Sequence, residues 1–137
     1  MKVELAPDVQ DKIHLITRVL SEDFAHVDPR RVTAVRSWGT TTDAVARIWS
    51  MPKVWQIALL TEPQYVMEVI SKRYDALSER EKDETVIHEL MHVPKTFSGA
   101  LVPHKCFGKM RVCDRTVKKM HEKYSLLYNN YGGAIEG

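Results

Sequence analysis

A chain of 137 residues with 44% hydrophobic and 28% charged side chains has the make-up of one globular domain, residues 1–137, with a core of its own. No apolar run approaches the roughly 20 residues of a membrane span, and Met1-Lys2-Val3-Glu4-Leu5 does not begin an apolar signal segment, so a cytoplasmic protein with no membrane partner is expected. The net charge of +2 is too small to imply nucleic acid, and two cysteines, Cys106 and Cys113, make no disulfide framework and are expected to be reduced.

After Pro7 and Asp8, Val9, Ile13, Ile16, Leu20 and Phe24 recur at helical spacing, which predicts an amphipathic helix over 8–24. His14 and His26 are incidental to it. Asp28-Pro29 breaks the period, and Arg31 to Trp38 reads as a strand ending at Gly39. Between Ala44 and Leu60, Val45, Ile48, Trp49, Val54, Trp55, Ile57 and Leu59 suit a buried strand or a short helix after Pro52. We read a strand over 44–50 and a helical turn over 53–59. Tyr65-Val66-Met67-Glu68-Val69-Ile70 alternates between Pro63 and the Ser71-Lys72-Arg73 run, the pattern of a third strand.

Ser78-Glu79-Arg80-Glu81 is a capping box, so a helix should start at 79. Pro94 has no amide hydrogen and biases Val93 away from helical dihedrals, so it should stop soon after His92. Cys113, Val117, Met120, Tyr124 and Leu127 predict a last long helix from about 111 to 128, with residues 129–137 frayed. The fold class is therefore α+β: an N-terminal helix, a small three-stranded sheet, a central helix and a C-terminal helix.

The central helix carries His88-Glu89-Leu90-Met91-His92, a complete H-E-x-x-H. Side chains at i and i+4 sit one above the other, so two imidazoles can reach one metal ion. Glu89 is rotated about a hundred degrees from His88 and can lean toward a water at the metal instead. Val86, Ile87, Leu90 and Met91 form an apolar stripe, and His88 and His92 lie nearly opposite its centre, with Glu81 and Thr85. The histidines are therefore not core fillers. The pattern points to zinc and to hydrolysis, with Glu89 as base.

A catalytic zinc usually has three protein ligands, so the pair is incomplete. The position that would carry a third histidine in the H-E-x-x-H-x-x-G-x-x-H arrangement is Ser98, a departure from metzincins. His104 is the better candidate, because Phe97-Ser98-Gly99-Ala100 lets the chain turn and Pro103 stiffens its approach. Asp114, Glu122, Cys106, Cys113 and His121 stay open as alternatives. His121, Tyr124 and Tyr128 are candidate donors to an oxyanion, although the spacing makes Tyr124 as good a core residue.

The stretch from Glu68-Val69-Ile70 to His88-Glu89-Leu90-Met91-His92-Val93-Pro94-Lys95-Thr96-Phe97-Ser98-Gly99-Ala100-Leu101 and Pro103-His104 resembles the metallopeptidase family found in archaea and phages. Ala46-Arg47-Ile48-Trp49 and Pro52-Lys53-Val54-Trp55-Gln56 extend the likeness, which runs over roughly residues 31–128. More distantly the chain is similar to SprT-like zinc proteases, whose third histidine also follows a long gap. The resemblance implies a minimal zincin-like single domain, with His88, His92 and His104 on zinc and Glu89 as base.

The expected activity is a zinc metallopeptidase acting on a peptide or protein substrate. A zinc ion lowers the pKa of its water from 15.7 toward about 7, and Glu89 would take the proton during attack on the peptide carbonyl. A strand feeding the metal helix would also leave a sheet edge where an extended peptide can pair. Two other readings compete. One is a non-catalytic, metal-stabilised module that grips a partner or DNA through the stretch from Lys105 to Lys123, which holds seven Lys or Arg against Asp114 and Glu122. The other is hydrolysis of a non-peptide amide.

Overall fold

The structure, a computed structural model, describes residues 1–104 and 112–136, with side chains through Asn130. In chain order the elements are β1 (Lys2–Leu5), α1 (Pro7–Val19), β2 (Val32–Trp38), β3 (Ala46–Trp49), α2 (Lys53–Ala58), β4 (Tyr65–Ile70), α3 (Ser71–Tyr74), α4 (Glu79–Met91) and α5 (Asp114–Glu136). The strands form a four-stranded sheet in the order β1-β2-β4-β3. β2 and β4 run parallel at its centre, with Ala34 beside Met67, while β1 and β3 pair antiparallel on the two sides.

One face of the sheet is covered and the other is open. Val32, Ala34, Ile48, Met67 and Val69 point into a core shared with Val9, Ile13 and Ile16 of α1, Val86 and Leu90 of α4, and Val117 and Tyr124 of α5. Alternation puts Arg47, Trp49 and Glu68 on the opposite face. There the Glu68 carboxylate is buried yet fully partnered: it accepts from Arg47 Nε at 2.7 Å, Trp49 Nε1 at 2.8 Å and Ser37 Oγ at 2.5 Å.

β3 is the edge that matters for the site. Ile70 N–H donates to Val45 O at 2.9 Å, so this pair faces the sheet interior. Alternation then turns the N–H and C=O of Ala46 and Ile48 away from β4, toward α4.

Several expectations need correction. The sheet has four strands rather than three, because Lys2–Leu5 pairs with β2; four exposed residues at a chain end carry almost no periodic signal. α1 stops at Val19 rather than 24, but a tight turn in which Phe24 N–H reaches Leu20 O keeps Leu20 and Phe24 in the core. A single helical turn, α3, separates β4 from α4. α5 extends through residues 129–136. On α2, Val54, Trp55 and Ile57 face solvent, and Gln56 is the residue turned inward. Cys113 is disulfide-bonded where a reduced thiol was expected, since a cysteine count cannot show whether the fold brings two sulfurs together; Cys106 lies outside the described residues. No described helix is long and apolar enough to cross a membrane.

Candidate metal centre

α4, which carries His88 and His92, begins and ends as its sequence dictates. Ser78 Oγ accepts from Glu81 N–H at 3.2 Å, and Glu81 Oε1 accepts from Ser78 N–H at 3.1 Å, so two of the donors left over at a helix start are satisfied. At the other end His92 is the C-cap, and Pro94 follows outside the helix. Val86, Ile87 and Leu90 are fully buried, which fixes the rotation of α4 about its axis. That rotation turns His88 and His92 toward the edge of β3.

Residues 93–104 contain no helix or strand, yet they double back onto the helix they leave. His26 Nε2 contacts Val93 O at 3.1 Å at the start of the segment. Further on, Val102 N–H donates to His92 O at 2.7 Å, and His92 Nδ1 donates to Val102 O at 2.5 Å. This reciprocal pair fixes the His92 tautomer: with the proton on Nδ1, the Nε2 lone pair is free. It also explains why His92 is buried although it lies away from the apolar stripe. Two residues beyond Val102, His104 reaches the same spot.

The three ring nitrogens converge. His104 Nε2 lies 3.0 Å from His88 Nε2 and 2.9 Å from His92 Nε2. Nitrogens on a tetrahedral zinc, at bonds of about 2.0–2.1 Å, sit roughly 3.3 Å apart, so the donor set fits one small divalent ion with little adjustment. His88 and His92 are also held toward the neutral form. Burial, with His92 and His104 as neighbours, pushes His88 down to about 4, and burial likewise lowers His92. Neutral imidazole is the form that ligates a metal. Among the described residues, His88, His92 and His104 form the one grouping that could hold a metal ion.

Glu89 stands beside this cluster without joining it. Its Oε1 is 3.9 Å from His88 Nε2, and its side chain is buried under β3. Burial raises the carboxyl to about 8, offset in part by the outward Ile48 N–H, which donates to it. A cleft of about 680 Å³ opens over these groups, bounded by Ala46 and Ile48 of β3 on one side and by Leu101 and Asp114 on the other.

The alternative third ligands fall elsewhere. Asp114 lines the cleft wall at the start of α5 but is not grouped with the ring nitrogens. Glu122 is exposed, and His121 is buried beside Tyr124, with Ser125 Oγ 3.5 Å from its Nδ1. Of the candidate oxyanion donors, Tyr124 is a core residue, and neither it, His121 nor Tyr128 lines the cleft. Sequence reasoning missed Gln56, Tyr65 and Gly99, which hold the 93–104 segment; a buried glutamine on an otherwise apolar short helix was the available signal.

Neither a curated protein nor a solved structure matches the chain. A family model does match, over residues 1–125, and so includes the whole histidine cluster, Glu89 and the β3 edge. The chain belongs to the family described as "Putative phage metallopeptidase".

Proposed function

We propose that the protein is a zinc-dependent metallopeptidase in which His88, His92 and His104 hold the ion and Glu89 is the general base. The observation that carries this reading is Glu89: a buried carboxyl set next to three converging ring nitrogens, yet not one of them, has no ligand role to account for it. When bound, zinc supplies Lewis acidity, polarising the scissile carbonyl and making water acidic enough to be deprotonated near neutral pH.

The chain's own groups do the rest. With a cation beside it to favour its ionised form, Glu89 accepts a proton from the attacking water while the water oxygen bonds to the carbonyl carbon; as the C–N bond breaks, Glu89 returns that proton to the leaving amine. The backbone of Ile48, on the β3 edge, favours that ionised form. The open edge of β3 offers the N–H and C=O of Ala46 and the C=O of Ile48 to an extended chain, which favours a peptide or protein substrate over a small amide. The nucleic-acid reading draws less support, because Lys123 of the basic stretch is already paired with Asp23 at 2.8 Å.

Glu89→Gln tests the assignment. It should lower peptide hydrolysis by two to four orders of magnitude or more and leave zinc bound, whereas His92→Ala should lose both. Full activity in Glu89→Gln, measured on zinc-loaded protein with an unstructured protein substrate, would falsify the mechanism.

A further inference from the structure

His104 differs from the other two histidines in how it reaches the site. It sits on a segment without regular structure, 12 residues beyond His92. A ligand on a free loop of that length costs conformational entropy each time a metal is bound. Here the loop is not free. Tyr65 of β4 is buried, and its hydroxyl donates to Ala100 O at 2.8 Å while accepting from Gly99 N–H at 2.8 Å. Its ring stacks edge-on against Phe97 of the same segment at 5.0 Å.

From the other side, the Gln56 amide donates to Ser98 O at 2.9 Å and to Met51 O at 2.8 Å, and Met51 N–H donates to Gly99 O at 2.8 Å. Gly99 is clamped between them. Its φ is +94°, and a Cβ there would meet Met51 O at 2.3 Å and Gln56 Nε2 at 2.4 Å. Three separate parts of the chain, β4, α2 and the turn before α2, thus grip residues 97–100. The loop then has only the Val102 pairing with His92 to make before it presents His104.

We propose that Tyr65 and Gln56 are positioning residues for the third metal ligand: they hold the 97–100 turn so that His104 is presented before metal arrives. The inference rests on the reading of His104 as a ligand. Neither residue touches the ring nitrogens. Their effect passes through the backbone of the turn, so it reads out in metal affinity and coordination geometry.

The test compares wild type, His104→Ala, Tyr65→Phe and Gln56→Met, each freed of metal and then titrated with Zn²⁺ against a competing chelator and with Co²⁺ by visible absorption. Tyr65→Phe keeps the ring against Phe97 and removes only the hydroxyl. It should weaken Zn²⁺ binding about 10- to 100-fold. Its Co²⁺ spectrum should shift toward that of His104→Ala, and Gln56→Met should move the same way. If both variants melt earlier when metal-free yet bind Zn²⁺ as tightly as wild type, with the wild-type Co²⁺ spectrum, their role is structural only and the proposal is overturned. If His104→Ala itself binds Zn²⁺ like wild type, the ligand assignment fails instead, a result separate from the first. Should Tyr65→Phe not fold, Gln56→Met decides the matter by the same titration.

Discussion

α4 and the 93–104 segment bring imidazoles to the same point by opposite means. On α4, the separation of His88 from His92 follows from helix geometry, and the capping box at Ser78 sets where that geometry begins. Nothing distant is needed to put those two rings on one face. The segment after His92 has no such internal rule, and His104 is placed by contacts to His26, Tyr65, Gln56 and back to His92. The histidine cluster is therefore half local and half tertiary, and the two halves should respond differently to perturbation.

The largest expected effect comes from the seat of α4. Leu90 is fully buried between the sheet and the helices, so Leu90→Ala should cost about 2–5 kcal/mol in denaturant unfolding of the metal-free protein. If the pair on α4 is locally determined, the variant that remains folded should still bind Co²⁺ through His88 and His92. Loss of all metal binding in folded Leu90→Ala would show that the rotation of α4 is more fragile than its geometry suggests.

Glu89 gives a pH signature of intermediate size. Its carboxyl is raised to about 8 from an ordinary value of 4.5, so the native state holds a proton that the unfolded chain has already released. Metal-free stability should then fall as pH rises through this window. His88, lowered to about 4 from 6.5, acts over the lower part of that range and opposes it: its contribution is present above 6.5 and lost as pH falls toward 4. Between pH 6.5 and 8 the Glu89 effect stands alone and should remove about 1.5–2 kcal/mol. Glu89→Gln cannot titrate there, so its stability should be flat over the same range. A slope equal to that of wild type would mean that the burial of Glu89 by β3 is not what holds its proton.

The smallest effect isolates the local half. Ser78→Ala removes the helix cap and should cost about 1 kcal/mol. It lies ten residues before His88 and contacts nothing in the 93–104 segment. Zinc affinity should therefore be close to wild type, and a large drop would mean that fraying at Glu79 reaches the histidines.

Much of this fold was legible in advance, for reasons visible in particular residues. Tyr65–Ile70 alternates and is bounded by Pro63, so its strand could be placed to the residue. α4 could be bounded at Ser78 and near Pro94 because caps and prolines act on their immediate neighbours. α2 shows the opposite. Its apolar residues suited burial as a strand or a short helical turn, but the fold turns Gln56 inward, where its amide donates to both Met51 O and Ser98 O, and leaves Trp55 outside. No periodicity encodes that choice.

By itself, the sequence determined the α+β class, the helix that carries the motif and the two histidines one turn apart, because each depends on interactions spanning a few residues. Tertiary structure decided the rest of the site. It brought His104 within 3.0 Å of the other rings, buried Glu89 under β3 and made that strand an edge of the sheet. Each of those outcomes joins groups far apart in the chain, and such closures are selected by the packing of the whole core rather than by any local pattern.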